Sequence, residues 1–303
     1  MVKCLKCLVI GAFVQVLACL TGCVDKYDAN VNEWYTAGLA ISGDIISDST
    51  VVFTFSKTLP TVWTKEYEYL FSEDFMNVDV EMSVRGSDGT SWQGEQVSMG
   101  KYQVEIGTLQ PDVEYYVEAF YDDETYQSVP QKPLEASGIG EIKFLQEDEE
   151  EPMTIQLSTL ADDKGEPKYF LWHLQKTWDG DYWGTIGNEL LGTTASLTEH
   201  RIMNKTMLVV EPDNYLFEPS CSIRVSQRNL TLLEYEYYQI RIKQADEDEM
   251  GSLFGPRPTA LPTNITCSNP DKVVIGYVGC NMGVARCMIQ LSSRRIVWMD
   301  NPE

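Results

Sequence analysis

Hydrophobic and polar residues alternate along the first part of the chain with a period of two, which is typical of β-strands that bury one face. The alternation occurs in three segments, Thr50–Thr58, Asn77–Trp92 and Lys101–Leu109. The middle segment contains Asp88-Gly89, a dipeptide that favours a tight turn between two strands. The pattern therefore predicts short strands that are joined by turns.

The next segment carries Leu109, Pro111 and Tyr115 at the spacing of a tyrosine corner. In this respect it resembles fibronectin type III domains and related sandwiches. In such a corner the tyrosine hydroxyl bonds to the nearby backbone, while the leucine side chain fills the core. We expect Leu109 and Tyr115 to be buried at this corner.

The pair Asp122-Asp123 predicts a turn into a further strand at Thr125–Val129. Short strands with turns at this spacing predict a mainly β protein that begins with a fibronectin/immunoglobulin-like β-sandwich over residues 36–136. Such sandwiches serve as spacers, binders or adhesion modules, so the fold by itself does not name a function.

Residues 137–303 are predicted to form a β-rich second domain with one prominent helix near residues 231–247. Thr231 and Glu234 have the spacing of a capping box at the start of that helix. We expect its tyrosine-rich face to pack on a sheet. Two alternating segments near the end of the chain predict a closing hairpin, Asp271–Gly279 and Ala285–Leu291.

The N-terminus has the features of a bacterial lipoprotein signal peptide over residues 1–22. Two lysines precede an apolar run from about residue 7 to residue 20, which is too short to cross a bilayer core. The tetrapeptide Leu20–Cys23 then matches a lipobox, with cleavage expected between Gly22 and Cys23. The alternative is an ordinary signal peptide with a chance cysteine.

Lipidation of Cys23 would anchor the chain to a membrane, because two or three acyl chains give stable binding where one does not. Residues 23–35 are polar and lack periodicity, so we interpret them as a lipidated tether. The chain carries a formal net charge of −23 at pH 7. Phosphates would repel such a chain, so we expect no nucleic-acid partner.

Four cysteines remain beyond the predicted anchor, and an even number in an exported protein suggests disulfides. The predicted closing hairpin would bring Cys280 opposite Cys287, which leaves Cys221 and Cys267 to each other. Zinc is the competing interpretation, but the cysteine spacings lack a C-x₂-C pair and the chain has only two histidines. We therefore predict disulfides, with free thiols as the alternative, and we expect no metal site and no cofactor.

The sequence contains no catalytic motif of the common hydrolase, phosphate-binding or zinc-protease types. Of the two histidines, His173 lies in an aromatic strand and His200 in a polar segment. An acidic run at residues 147–151 suggests a solvated hairpin tip, since no ladder of calcium ligands surrounds it. We predict no catalytic residues, although paired carboxylates stay open as an alternative.

The best candidate for binding is an aromatic-rich turn that contains Trp178, Tyr182 and Trp183 around Asp179-Gly180-Asp181. Aromatic side chains in a polar loop can stack on sugar rings or anchor a protein partner. The alternative is that these rings cap the β core.

The C-terminal half contains, in order, a Val-x-Gln strand end, a Leu-Thr start to a tyrosine-rich helix, a Gly-x-Leu-Phe loop, Asn264-Ile265 and Ile275-Gly276-Tyr277. This order of motifs resembles a Bacteroidota lipoprotein family catalogued as a domain of unknown function (DUF4249-like). Thr263 stands where the family usually has glycine, and Cys280 and Cys287 are not typical of it. The family has no established catalytic residues to transfer.

The resemblance implies a location in the outer membrane and a role near nutrient uptake, because members are often encoded beside TonB-dependent receptors. We therefore expect a lipid-anchored, non-enzymatic accessory or binding protein whose partner is such a receptor and whose ligand is unknown. The alternatives are a surface hydrolase using paired carboxylates near the aromatic turn, and an adhesin or structural surface protein. The sequence leaves open which face of the membrane carries it.

Overall fold

A computed structural model describes residues 36–58, 78–145, 153–160, 168–178, 182–185, 190–193, 205–210, 222–249, 261–292 and 295–299. The described part of the chain is mainly β, as predicted. Within these ranges no helix has both the length and the apolar character needed to cross a membrane.

The first half of the chain contributes eight strands. They are β1 (Thr36–Ile46), β2 (Ser49–Lys57), β3 (Glu81–Gly86), β4 (Ser91–Gln93), β5 (Glu95–Ser98), β6 (Lys101–Ile106), β7 (Tyr115–Tyr121) and β8 (Glu124–Ser128). The three alternating segments correspond to β2, to β3 and β4, and to β6. The sequence pattern was clearest for β2 and β6, because each of these strands buries one face.

The second half contributes one helix and eleven strands among the described residues. The helix is α1 (Leu232–Glu249), close to the predicted range. The strands are β9 (Lys143–Leu145), β10 (Met153–Ser158), β11 (Tyr169–Trp178), β12 (Tyr182–Thr185), β13 (Leu190–Thr193), β14 (Lys205–Val210), β15 (Ser222–Leu230), β16 (Ile265–Cys267), β17 (Lys272–Asn281), β18 (Ala285–Ser292) and β19 (Arg295–Met299).

Two five-stranded sheets form a sandwich around one hydrophobic core. Their strand orders are β17-β1-β2-β6-β5 and β16-β8-β7-β3-β4. The core between them is built from alternating side chains of both sheets, including Phe53, Phe55, Met82, Tyr115 and Tyr126. Aligned packing of two such sheets is the usual solution for antiparallel strands with one apolar face.

The sandwich is not complete within residues 36–136, which differs from the predicted domain division. Strand β17 pairs in parallel with β1, from Thr36 opposite Lys272 to Ile46 opposite Asn281. Strand β16 pairs antiparallel with β8. Residues 265–281 therefore supply one edge strand of each sheet. The sequence did not predict this, because alternation along a strand predicts its faces but not its partner.

The remaining strands form two further sheets, with orders β14-β10-β9 and β12-β11-β15-β18-β19, and β13 also pairs with β11. A second core lies here and includes Phe170, Trp172 and Val225. The hairpin of β9 and β10 agrees with the sequence prediction, whereas the acidic run at residues 147–151 lies outside the described residues.

The first turn of α1 is capped as the sequence predicts, since the Glu234 N–H donates to the Thr231 hydroxyl at 3.2 Å. The helix packs through tyrosines: the Tyr237 ring lies 5.9 Å from that of Tyr277, and the Tyr235 ring lies 4.9 Å from that of Tyr169. Among the tyrosines of the helix, only Tyr237 is fully buried.

Candidate functional site

An open groove of about 610 Å³ lies at one end of the N-terminal sandwich. It forms where the start of β3, the β4–β5 connection and the β7–β8 turn meet. Its walls are Asp79, Val80, Glu81, Gln93, Gly94, Gln96, Tyr102, Phe120, Tyr121, Asp122 and Asp123.

The β7–β8 turn places two carboxylates at the rim of this groove. Asp122 and Asp123 both have a left-handed backbone, with φ of 55° and 60°. A two-residue hairpin turn requires positive φ at both central positions, and aspartate tolerates this better than most residues. The sequence predicted the turn, but it did not predict the groove.

Tyr102 forms a fixed part of the wall. Its hydroxyl donates to the Val78 carbonyl at 3.0 Å and accepts from the Val80 N–H at 2.9 Å. Burial raises the pKa of Tyr102, so the phenol stays neutral at physiological pH. This side chain holds the start of β3 against β6 and does not supply a reactive group.

The groove is rich in acceptors and carries negative charge. Four of its residues are carboxylates, and none of its wall residues is basic. The Phe120 side chain is half exposed beside them. Lys272 is not a wall residue, but its ammonium group lies 3.4 Å from a carboxylate oxygen of Asp122. Such a surface suits ligands or partners that offer hydrogen-bond donors.

The described residues contain no group of three or more His, Cys, Asp or Glu side chains that could hold a metal ion. The four carboxylates of the groove come from two segments, Asp79 and Glu81 at the start of β3 and Asp122 and Asp123 in the β7–β8 turn.

A second arrangement of charges is buried where β1, β15, β17 and α1 meet. We call Asp44, Arg228 and Glu234 the buried charge cluster. The Arg228 Nη1 donates to Glu234 Oε1 at 2.5 Å and lies 3.0 Å from Asp44 Oδ1. Its other terminal nitrogen donates to the Tyr238 hydroxyl at 2.9 Å.

The ionisation of the cluster follows from burial and from its mixed charges. Burial, with a smaller contribution from the Asp44 carboxylate, raises the pKa of Glu234 to about 7 against the lowering effect of Arg228. Burial by itself would lower the pKa of Arg228, but Asp44 and Glu234 outweigh it, so the guanidinium keeps its charge.

Gly279 of β17 allows the close approach on which this cluster depends. A Cβ atom at that position would lie 2.4 Å from Asp44 Oδ1 and 2.9 Å from Glu234 Oε1. The sequence analysis did not identify this cluster. Glu234 was visible only as a capping residue, and nothing in the local pattern connects Asp44 with Arg228.

The predicted aromatic turn is a hairpin of β11 and β12. Trp178 pairs with Tyr182, and Thr177 pairs with Trp183. Residues 179–181 and the side chains of the three aromatic residues lie outside what the structure describes. Trp178, Tyr182 and Trp183 are not wall residues of the groove. Their role in binding stays a prediction.

The predicted bridge between Cys280 and Cys287 is wrong in this structure. Cys280 lies in β17, which pairs with β1, whereas Cys287 lies in β18, which pairs with β15. The two strands are consecutive in sequence but belong to different sheets. Cys267, Cys280 and Cys287 are all free thiols, and Cys221 lies outside the described residues.

The tyrosine corner has the geometry that its spacing predicts. The Gln110 N–H donates to the Tyr115 hydroxyl at 2.8 Å. Leu109 and Tyr115 are buried, and Pro111 is exposed at the bend. The lipobox residues Gly22 and Cys23, the tether at 23–35 and His200 lie outside the described residues, and His173 lies within β11.

Comparison with known proteins gives one match at the level of families. A family described as "Domain of unknown function (DUF4249)" matches residues 24–282, which is most of the 303-residue chain. No curated protein matches the chain. The match spans both halves of the fold and includes every residue of the groove and of the buried charge cluster. The chain therefore belongs to the DUF4249 family of unknown function.

Proposed function

We propose that this chain is a lipid-anchored, non-enzymatic protein of the cell envelope that binds a partner or ligand as an accessory component of an outer-membrane nutrient-uptake system. The observation that carries the proposal is the position of the family match. It begins at residue 24, directly after the predicted lipidation site Cys23. The family match and the predicted mature chain therefore start within one residue of each other.

The proposed organisation places the predicted tether at residues 23–35 before the first described strand, which begins at Thr36. An anchored sandwich of this kind can present a surface to a neighbour in the same membrane. We propose a TonB-dependent outer-membrane receptor as that neighbour.

The groove supports a binding role. It is open, carries carboxylates and amides on its walls, and exposes about half of the Phe120 side chain (49%). Interfaces commonly combine an aromatic anchor with polar groups that fix orientation. The acidic groove would accept a donor-rich or basic surface of the partner.

The hydrolase alternative concerns carboxylates near the aromatic turn, whose Asp179 and Asp181 lie outside the described residues. The buried pair Asp44 and Glu234 does not support it. Asp44 and Glu234 lie against the same nitrogen of Arg228, and Glu234 is buried. A general acid or base must come within hydrogen-bond reach of its substrate. Because Arg228 occupies the space between these carboxylates, their geometry supports a structural role.

Affinity purification from detergent-solubilised outer membranes tests the proposal. We expect the tagged full chain to recover a TonB-dependent receptor, identified by mass spectrometry. A groove variant, Glu81→Gln with Asp123→Asn, should recover less of it. The matched control is Glu105→Gln with Asp112→Asn, which removes the same charge from exposed positions outside the groove.

The outcomes separate the two parts of the proposal. Equal recovery by the groove variant and the wild type would show that the receptor binds elsewhere on the chain. Absence of any receptor from all three samples would contradict the accessory role. Turnover of an envelope polymer by the purified protein, abolished by the groove variant, would favour the hydrolase.

A further inference from the structure

The buried charge cluster fastens the start of α1 to the edge of the N-terminal sandwich. Asp44 belongs to β1, Arg228 to β15 and Glu234 to the first turn of α1. Beneath them, Gly279 of β17 leaves no room for a side chain. Four elements that are distant in sequence therefore meet at one guanidinium group.

The charges at this meeting point do not balance when both carboxyl groups are ionised. One guanidinium then faces two carboxylates, and both approach the same nitrogen, Arg228 Nη1. A buried excess charge is costly, and two carboxylates that share a site favour retention of a proton on one of them. The cluster is balanced when one carboxyl group is protonated.

Burial identifies Glu234 as the group that holds the proton. Its side chain is 2% exposed, whereas that of Asp44 is 25% exposed and can still be hydrated. Burial, followed by repulsion from Asp44, places the pKa of Glu234 at about 7 in spite of the attraction of Arg228.

Two titratable groups face the cluster from β17 and stay neutral near pH 7. Burial raises the pKa of Tyr277, and burial with nearby Asp44 and Glu234 raises that of Cys280 to about 12. From α1, the centroid of the Tyr238 ring lies 5.4 Å from the Arg228 guanidinium and 5.0 Å from that of Arg241.

We propose that the buried charge cluster is a pH-sensitive joint, which holds the first turn of α1 against β1 and β17 while Glu234 is protonated and loosens when Glu234 ionises. The joint would act as an internal sensor of the pH around the anchored protein. This inference does not depend on the identity of any partner, because all of its parts belong to the chain itself.

The direction of the effect follows from proton linkage. When the joint is closed, the pKa of Glu234 is about 7. When the joint opens, the pKa returns to its ordinary value of 4.5. The closed joint therefore binds one proton more than the open joint between these two values. Its stabilising contribution is complete below about pH 4.5 and is lost as the pH rises through about 7.

Hydrogen exchange of the intact protein measures this opening. The exchange is followed by mass spectrometry on peptides that cover residues 231–242. After correction for intrinsic exchange, the open fraction should rise by up to about tenfold per pH unit between pH 5 and 7 and then level off. Glu234→Gln, which carries no ionisable proton, should remove this dependence. Glu236→Gln, an exposed change of the same charge on the same helix, should retain it.

A direct titration provides a second measurement that does not depend on how the variants fold. Carboxyl carbon NMR of the wild type should show Glu234 titrating near pH 7. In Asp44→Asn the midpoint should move to lower pH, because Asp44 raises the pKa of Glu234. Two results would overturn the proposal. One is a wild-type midpoint for Glu234 below about pH 5. The other is hydrogen exchange of residues 231–242 that depends on pH in Glu234→Gln as it does in the wild type.

Discussion

The side chain of Asn264 binds the backbone of Val278 at both of its polar groups. The Val278 N–H donates to Asn264 Oδ1 at 3.0 Å, and Asn264 Nδ2 donates to the Val278 carbonyl at 2.8 Å. The amide side chain thus pairs like a neighbouring strand. Because Asn264 precedes β16 in one sheet and Val278 lies in β17 of the other, this contact joins the two sheets of the sandwich.

Replacement of Asn264 by Ala should therefore destabilise the protein. The change leaves the buried Val278 N–H without its partner, whereas the Val278 carbonyl still accepts from Gln131 Nε2 at 2.7 Å. We expect a loss of about 1–3 kcal/mol in the free energy of unfolding. Urea denaturation measures it. Thr266→Ala, at an exposed position in β16, is the control and should cost much less. Equal losses for the two variants would contradict this role of Asn264.

A smaller effect is expected at the tyrosine corner. Tyr115→Phe removes the hydroxyl that accepts a hydrogen bond from the Gln110 N–H, which should cost about 0.5–1.5 kcal/mol. Tyr116→Phe, one position along the same strand and on its other face, is the matched control. The comparison of denaturation midpoints tests the corner, and a Tyr115→Phe variant as stable as the wild type would argue against it.

Gly279→Ala should destabilise the protein by overpacking. The new Cβ would lie 2.4 Å from Asp44 Oδ1 and 3.1 Å from Arg228 Nη1, so the buried charge cluster would have to move. We expect a cost of about 1–3 kcal/mol. A Cβ at Gly283 would have no atom within 4 Å, so Gly283→Ala is the control in thermal unfolding. Similar melting temperatures for both variants would show that the cluster adapts freely.

Lipidation at Cys23 is testable without reference to the fold. Cys23→Ala should abolish acylation, because the substitution removes the thiol to which the diacylglyceryl group is attached. We expect mass spectrometry of the N-terminal peptide to find acyl mass in the wild type and none in the variant. Persistent acyl mass in the variant would exclude Cys23 as the anchor.

The thiol of Cys280 should resist alkylation in the folded protein. It is buried in the sandwich core, and burial raises its pKa to about 12, so little reactive thiolate forms at pH 8. Labelling with a maleimide should reach Cys280 only after denaturation. Peptide mapping without reduction provides the second check, and a Cys280–Cys287 disulfide would contradict the separation of β17 from β18.

The sequence pattern predicted the strands of the sandwich better than it predicted their partners. Alternation in β2 and β6 reflects one buried face, and this information is local. The partner of β17 is not local, since adjacent strands in sequence usually pair and β18 follows directly. The predicted hairpin of β17 and β18 failed for this reason, and the predicted disulfide failed with it.

The candidate sites were less predictable than the fold. The Asp122-Asp123 turn was evident from sequence, but the groove requires three connections that only the packed sandwich brings together. Glu234 also shows what the sequence can and cannot predict, because this residue makes one local contact and one contact that is distant in sequence. Its N–H contributes to the helix cap, which the sequence shows, whereas its carboxylate meets an arginine that only the fold places there.

The pairing of β1 with β17 sets a condition on how the protein is made. During synthesis Thr36 leaves the ribosome long before its partner Lys272. Until then one edge of the nascent sandwich exposes unpaired backbone groups, which can pair with other chains and cause aggregation. Protection of this edge until β17 has been made therefore falls to chaperones or to the speed of folding.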